Sequence, residues 1–220
     1  MDQLSDLLNN ENVEVAFPEK NRMNRYDKVD KKAVQQKLKT TDQFTKVQKM
    51  LEDKDYDGRM EWMLARKKCA DELYYKKEFE KALELYLEVL MGLSYEGLNE
   101  TQKEEMDHKV KLKVLMNMAL CSYNDNKNFK ALKFLEQAEK VKTEAKIYYI
   151  YALVYCKEEM YKDAFAMIQT AIDYSKDKYT EETILQYHKL KSKIAKMHNT
   201  SLSKEREMYK GIFDSSIYVN

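Results

Sequence analysis

The sequence predicts an all-α fold built from three consecutive helix hairpins, and three features carry that expectation. The first is a set of alanine pairs twelve residues apart: Ala70 with Ala82, Ala119 with Ala131, and Ala152 with Ala164. Where two helices cross closely, each needs a small residue at the crossing, because a larger side chain would hold the axes apart. The pairs are offset by 49 residues (70 to 119) and then by 33 (119 to 152). The second step is therefore one repeat of about 34 residues, and the first is one repeat plus an insertion. The second feature is a scarcity of chain breakers: 4 Gly and 1 Pro in 220 residues leave few of the turns that a sandwich, a barrel or a phosphate-cradling loop needs. The third is apolar residues at helical spacing, as in Ala82, Tyr86 and Val89.

Along the chain, residues 1–39 are expected to form an N-terminal arm, extended or partly helical. It carries Leu4, Leu7 and Leu8, then Val13, Val15, Phe17 and Pro18, then alternating charges. Residues 40–58 read as a lead-in helix and loop: Thr40 and Gln43 have capping-box spacing, and Phe44, Val47 and Leu51 recur at helical intervals. The three hairpins are expected over residues 59–177. The first pairs about Arg59–Tyr75 with Phe79–Met91 through the charged turn Lys76-Lys77-Glu78. The insertion runs from Gly92 to about Glu100, and Thr101 with Glu104 reads as the start of a long helix to Tyr123. Its partner spans about Phe129–Lys140, and the third hairpin spans about Thr143–Lys157 and Tyr161–Tyr174. Residues 178–220 read as a C-terminal capping helix and tail. There Ile184, Tyr187, Ile194 and Met197 keep helical spacing, and Asn199-Thr200-Ser201 is expected to bend or interrupt the helix.

Composition narrows the function. With 44% hydrophobic and 35% charged residues the chain is of the folded, globular kind. Its 39 Lys and Arg nearly balance 38 Asp and Glu, so no general attraction to nucleic acid or anionic lipid is expected. The start is too polar for a signal peptide and no stretch approaches a membrane span, which leads to a cytoplasmic expectation. Cys69, Cys121 and Cys156 lack metal-ligand spacing and read as reduced thiols inside helices. His108, His188 and His198 are scattered, and glycine-rich nucleotide motifs are missing, so neither an enzyme nor a cofactor is expected. Asp53, Asp55, Asp57 and Gly58 have the alternation of a calcium loop, but Leu64 stands where the bidentate glutamate belongs, and a solvated loop leading into a helix is the preferred reading. The basic amphipathic stretch Lys189–His198 is of the type that can engage calmodulin; a solvated outer face is preferred.

The alanine register, the Asn99-Glu-Thr-Gln102 insertion, the Met116-Asn117-Met-Ala-Leu-Cys121 segment and the closing Lys204-Glu-Arg-Glu-Met-Tyr-Lys-Gly-Ile-Phe213 together resemble tetratricopeptide repeats. They are most similar to the repeat domain of the large immunophilins and of the tetratricopeptide-repeat 9 proteins, over about residues 59–213, with no isomerase domain. The resemblance implies a right-handed solenoid of three such hairpins. It also implies a clamp on the first helices for the carboxylates of a heat-shock chaperone C-terminal tail. Lys67, Asn117 and Lys146 stand at three clamp positions, while Asp71 replaces an asparagine and Ile150 replaces an arginine. Both replacements remove a donor from the clamp. In the same register the concave face presents Tyr74, Tyr75, Met116, Tyr123, Tyr149 and Leu153, a groove suited to a peptide with apolar side chains, including one from the chain's own arm. The expected function is a non-catalytic adaptor that binds a peptide segment in this groove. The alternative is a structural subunit among neighbouring subunits of a large complex, such as a ciliary axoneme or organellar assembly.

Overall fold

In the computed structural model, backbone structure is described for residues 16–18, 26–28, 31–175 and 178–216, and side chains for 41–175 and 178–210. The expected apolar cluster of the arm, Leu4, Leu7 and Leu8, lies outside the described residues, as does the side chain of Phe17. The chain divides into two units, Met1–Arg59 and Met60–Asn220. Eight helices account for nearly all the described secondary structure, which makes the fold all-α. No described helix is long and apolar enough to cross a membrane.

In the first unit, β1 (Ala16–Pro18) pairs antiparallel with β2 (Tyr26–Lys28), Ala16 opposite Lys28 and Pro18 opposite Tyr26. Both strands of such a pair are edges, where proline is tolerated. Helix α1 (Lys31–Leu51) begins at Lys31 instead of at Thr40, so the expected capping box at Thr40 and Gln43 sits inside a helix. The run Lys-Lys-Ala-Val-Gln-Gln-Lys-Leu-Lys over residues 31–39 consists almost wholly of good helix formers and offers no break. One turn later Thr45 donates from its hydroxyl to the Thr41 carbonyl at 3.0 Å, a bond that lets threonine reside in a helix. The unit closes on Asp55. Its Oδ1 accepts the Gly58 N–H at 2.9 Å, and a Cβ at Gly58 would come within 3.0 Å of that oxygen. The acid thus caps the start of helix α2 (Tyr56–Tyr75).

The second unit continues with α3 (Phe79–Met91) and with α4, a continuous helix of three segments: Glu100–Met106, the π-helical Asp107–Lys111, and Leu112–Asn124. Then follow α5 (Asn128–Val141), α6 (Ala145–Lys157), α7 (Tyr161–Ser175) and α8 (Glu181–Ser216). All six alanines of the three pairs have no solvent exposure. The turns between paired helices repeat one backbone device. Lys77, Asn126 and Glu159 have φ of 62°, 58° and 59°. In each turn the next residue's N–H reaches back five residues: Glu78 to the Leu73 carbonyl at 3.0 Å, Lys127 to Ser122 at 2.8 Å and Met160 to Tyr155 at 2.9 Å. These are Schellman turns, which satisfy the helix-end carbonyls while reversing the chain. The left-handed residues are 49 (77 to 126) and 33 (126 to 159) residues apart, the same steps as the alanines. Each left-handed residue sits seven positions after one alanine of a pair and five before the other. Backbone and side chains therefore carry the same period.

The packing follows from that register. Leu112, Leu115, Met116 and Ala119 of α4 meet Ala131, Leu135 and Ala138 of α5 and Ile147, Ile150 and Val154 of α6 in one buried cluster. A second cluster joins Ala145, Ala152 and Cys156 to Ala164, Ile168 and Ala171 of α7, and is closed by Tyr187, Leu190 and Ile194 of α8. A buried Leu or Ile contributes about 1.5 to 3 kcal/mol, whereas an exposed ion pair such as Lys81 with Glu78 is screened by solvent and adds little. The apolar seams decide the stability.

Two helix boundaries differ from expectation. Helix α4 starts from Asn99, not Thr101: Asn99 Oδ1 accepts the Gln102 N–H at 2.9 Å, and the Asn99 N–H donates to Gln102 Oε1 at 3.1 Å. Asparagine with an amide three residues on closes a capping box in both directions, which the later threonine would not improve. Helix α8 runs unbroken through Asn199-Thr200-Ser201. Thr200 Oγ1 bonds the Lys196 carbonyl and Ser203 Oγ the Asn199 carbonyl, both at 3.0 Å, so these polar side chains are satisfied within the helix. From Leu202 to Lys210 every residue of α8 is exposed.

Because a left-handed conformation costs a residue with a Cβ about 1 to 2 kcal/mol, and glycine returns part of that gain as unfolded-chain entropy, Glu159→Gly should stabilise the protein by about 0.5 to 1 kcal/mol in urea denaturation. Asn126→Gly should gain less, since asparagine tolerates the conformation better.

Candidate functional site

Lys67 and Asp71 lie on adjacent turns of α2, Asn117 and Lys113 on adjacent turns of α4, and Lys146 near the start of α6. Together with Tyr74, Tyr75, Tyr86 and Leu120 they line a cavity of about 300 Å³. The first helices of three successive hairpins thus contribute polar groups to one space.

At its floor is a closed set of hydrogen bonds centred on Asp71. Its Oδ2 accepts from the Lys67 ammonium at 2.7 Å. Its Oδ1 accepts from the Asn117 amide at 2.8 Å and from the Tyr86 hydroxyl. The second Asn117 N–H donates to the Tyr86 oxygen at 3.1 Å. Tyr86 is almost wholly buried, and a buried hydroxyl requires a partner. Burial and the adjoining Asp71 carboxylate both push its pKa up, so it stays a donor.

The other side of the cavity is cationic. Lys113 reaches Glu144 only at 3.5 Å. Lys146 has neither a hydrogen bond nor an ion pair among the described residues. Its side chain is solvent-accessible, yet the concave protein around the ammonium partly desolvates it, and Lys113 and Lys67 repel it. These effects hold its pKa below the ordinary lysine value. Lys113 and Lys146 are 33 residues apart and each sits six positions before its hairpin's first alanine, so they are equivalent positions of the repeat.

Of the residues expected from the sequence, Lys67, Asn117, Lys146, Tyr74 and Tyr75 come together here. Tyr74 is half-buried, accepts the Asn124 amide at 3.0 Å and meets the Tyr75 ring edge-on at 5.8 Å. Tyr75 is 81% exposed at the rim. Tyr123 and Tyr149 do not line the cavity. The Lys157 ammonium lies 4.5 Å from the Tyr123 ring centroid and donates to its carbonyl at 2.7 Å, while Tyr149 stacks on Tyr187 of α8 at 4.9 Å. Two positions read as concave are instead core: Met116 and Ile150 are fully buried. Both face the α4, α5 and α6 seam, where apolar side chains gain more than a donor would. Tyr86 and Lys113 were not singled out for the site by sequence. Lys113 could have been found by stepping back one repeat from Lys146, and Tyr86 by asking what would satisfy its hydroxyl on an inward stripe.

The chain matches no known protein-family model and no curated protein sequence.

The cavity offers the ammonium donors of Lys113 and Lys146 beside tyrosine rings, the equipment of a binding surface. The buried Cys121 thiol is pushed up to about 12 by burial and by the Asp71 and Asp125 carboxylates, so it is neutral at physiological pH. Among the described residues no group of His, Cys, Asp and Glu could hold a metal ion.

Ile150→Arg, which places the clamp cation of the resembling family at that position, should cost about 3 to 5 kcal/mol because it buries an uncompensated charge, measured by chemical denaturation. For Lys146 the unfolded chain binds more protons than the folded one between the depressed folded value and 10.5, so stability rises with pH across that window. Lys146→Met should abolish this rise, as read from urea melts at neutral pH and near pH 10.5.

Proposed function

We propose that the protein is a non-catalytic interaction module of the tetratricopeptide-repeat type, a right-handed solenoid of three hairpins that binds a peptide segment of another protein in its groove. The observation that carries this reading is the delivery of Lys67, Asn117 and Lys146 to one cavity from three successive first helices. Donors spaced along an open groove suit an extended chain, whose carbonyls and acidic side chains recur along its length. Tyr74 and Tyr75 supply ring area for an apolar side chain of the guest. The degraded carboxylate clamp relates the module to chaperone-binding repeats, with Asp71 and Ile150 weakening its hold on a carboxylate tail, and the cytoplasm is its expected setting.

The test places a photo-crosslinking residue at Tyr75. Peptide partners should be captured there, and Lys146→Glu should reduce capture about tenfold or more, since one charge-assisted contact is replaced by repulsion. Capture that is indifferent to Lys146→Glu would sink the groove reading.

A second reading, a structural subunit of a ciliary or organellar assembly, is favoured by the exposed part of α8. Leu202, Met208 and Tyr209 are 37%, 65% and 54% exposed there. A crosslinker at Met208 that captures neighbouring subunits, with none captured at Tyr75, supports that alternative.

A further inference from the structure

Asp71 is placed where it answers the very donors a guest would need. Three groups converge on its carboxylate: the Lys67 ammonium at 2.7 Å, the Asn117 amide at 2.8 Å and the Tyr86 hydroxyl. A carboxylate of a guest approaching Lys67 and Asn117 therefore meets a negative charge already bonded to both. It must either break two bonds or sit beside a like charge, and both lower its affinity. The opposite wall is different. Lys113 and Lys146 are equivalent positions of successive repeats, and Lys146 has no acceptor among the described residues. Among the described residues Lys113 has only the Glu144 carboxylate, at 3.5 Å. With Asp71 neutralising Lys67, the cavity retains net positive charge concentrated on the α4 and α6 side.

Resting on the peptide-groove reading above, we propose that Asp71 acts as a built-in carboxylate that sets the specificity of the groove. It selects guests carrying a single internal anionic side chain, seated between Lys113 and Lys146, and rejects guests that present a chain-terminal carboxylate next to a second acid. The shared ligand chemistry is one anionic group flanked by apolar residues, supplied by glutamate or by phosphoserine. The neighbouring ring of Tyr74 and the side chain of Leu120 receive the apolar flank.

The full-length chain is tested on arrays of nine-residue peptides randomised over apolar and aromatic residues. One set carries a single central glutamate or phosphoserine and an amidated end; the other ends in Glu-Asp with a free carboxyl. The wild type should prefer the first set, and Lys146→Ala should remove most of that binding. Asp71→Asn keeps the shape and still accepts from Tyr86, but lacks the charge. It should raise binding to the free-carboxyl set by roughly tenfold or more while changing the single-anion set by less than about threefold. Thermal melting of each variant checks folding, and Asp71→Ser replaces Asp71→Asn if the latter is unfolded. The glutamate and phosphoserine members tell the two sources of the anion apart. Unchanged selectivity in the folded Asp71 variant overturns the role of Asp71 while leaving the groove reading intact, provided Lys146→Ala still weakens binding. Binding of neither set by any variant overturns both.

Discussion

The constraint shared by the three helix turns is a left-handed residue set between two fully buried alanines, one on each flanking helix. The alanines let the backbones approach; the turn directs them to meet at that point. Neither suffices alone. An alanine pair joined by a longer linker would leave the helices free to slide, and a Schellman turn leading to bulkier residues would splay them. Once three hairpins share the arrangement, their first helices present equivalent residues at fixed intervals. Lys113 and Lys146 are such equivalents, and the cavity between α2, α4 and α6 is a product of the repeat.

The polar floor of that cavity is tied to the same packing. Tyr86 belongs to the inward stripe of α3, and its buried hydroxyl must be answered by something on a neighbouring helix. Asp71 answers it, and in doing so engages Lys67 and Asn117 as well. The four residues come from three helices, so the network at the cavity floor also ties α2, α3 and α4 to one another.

The helices were legible in the sequence wherever period and small residues agreed, and illegible where local chemistry offered two equivalent choices. The alanine steps of 49 and 33 residues match those of the three left-handed helix turns, since steric demands at a crossing leave few alternatives. Helix starts were harder. Asn99 with Gln102 and Thr101 with Glu104 both have capping chemistry, and only three-dimensional context selects the first. The polar run at Asn199 looked like a break because the back-bonds that accommodate it appear only once the helix exists. Within the site, Lys67 and Lys146 were legible by register but Lys113 was not singled out, and Ile150 and Met116 were misplaced: both pack in the buried seam of α4, α5 and α6. The internal bonding of Asp71 to Asn117 could not be read from spacing, since 46 residues separate the partners.

The π-helical segment Asp107–Lys111 has a consequence for how the insertion is tolerated. A π turn holds more residues than an α turn, so it absorbs one residue's worth of rotation, near 100° in an α-helix. Upstream of it, Met106 is fully buried; downstream, Leu112 begins the seam with α5 and α6. The segment works as an angular spacer. It lets the N-terminal turns of α4 bury Met106 while Lys113 and Asn117 keep the facing set by the seam that begins at Leu112.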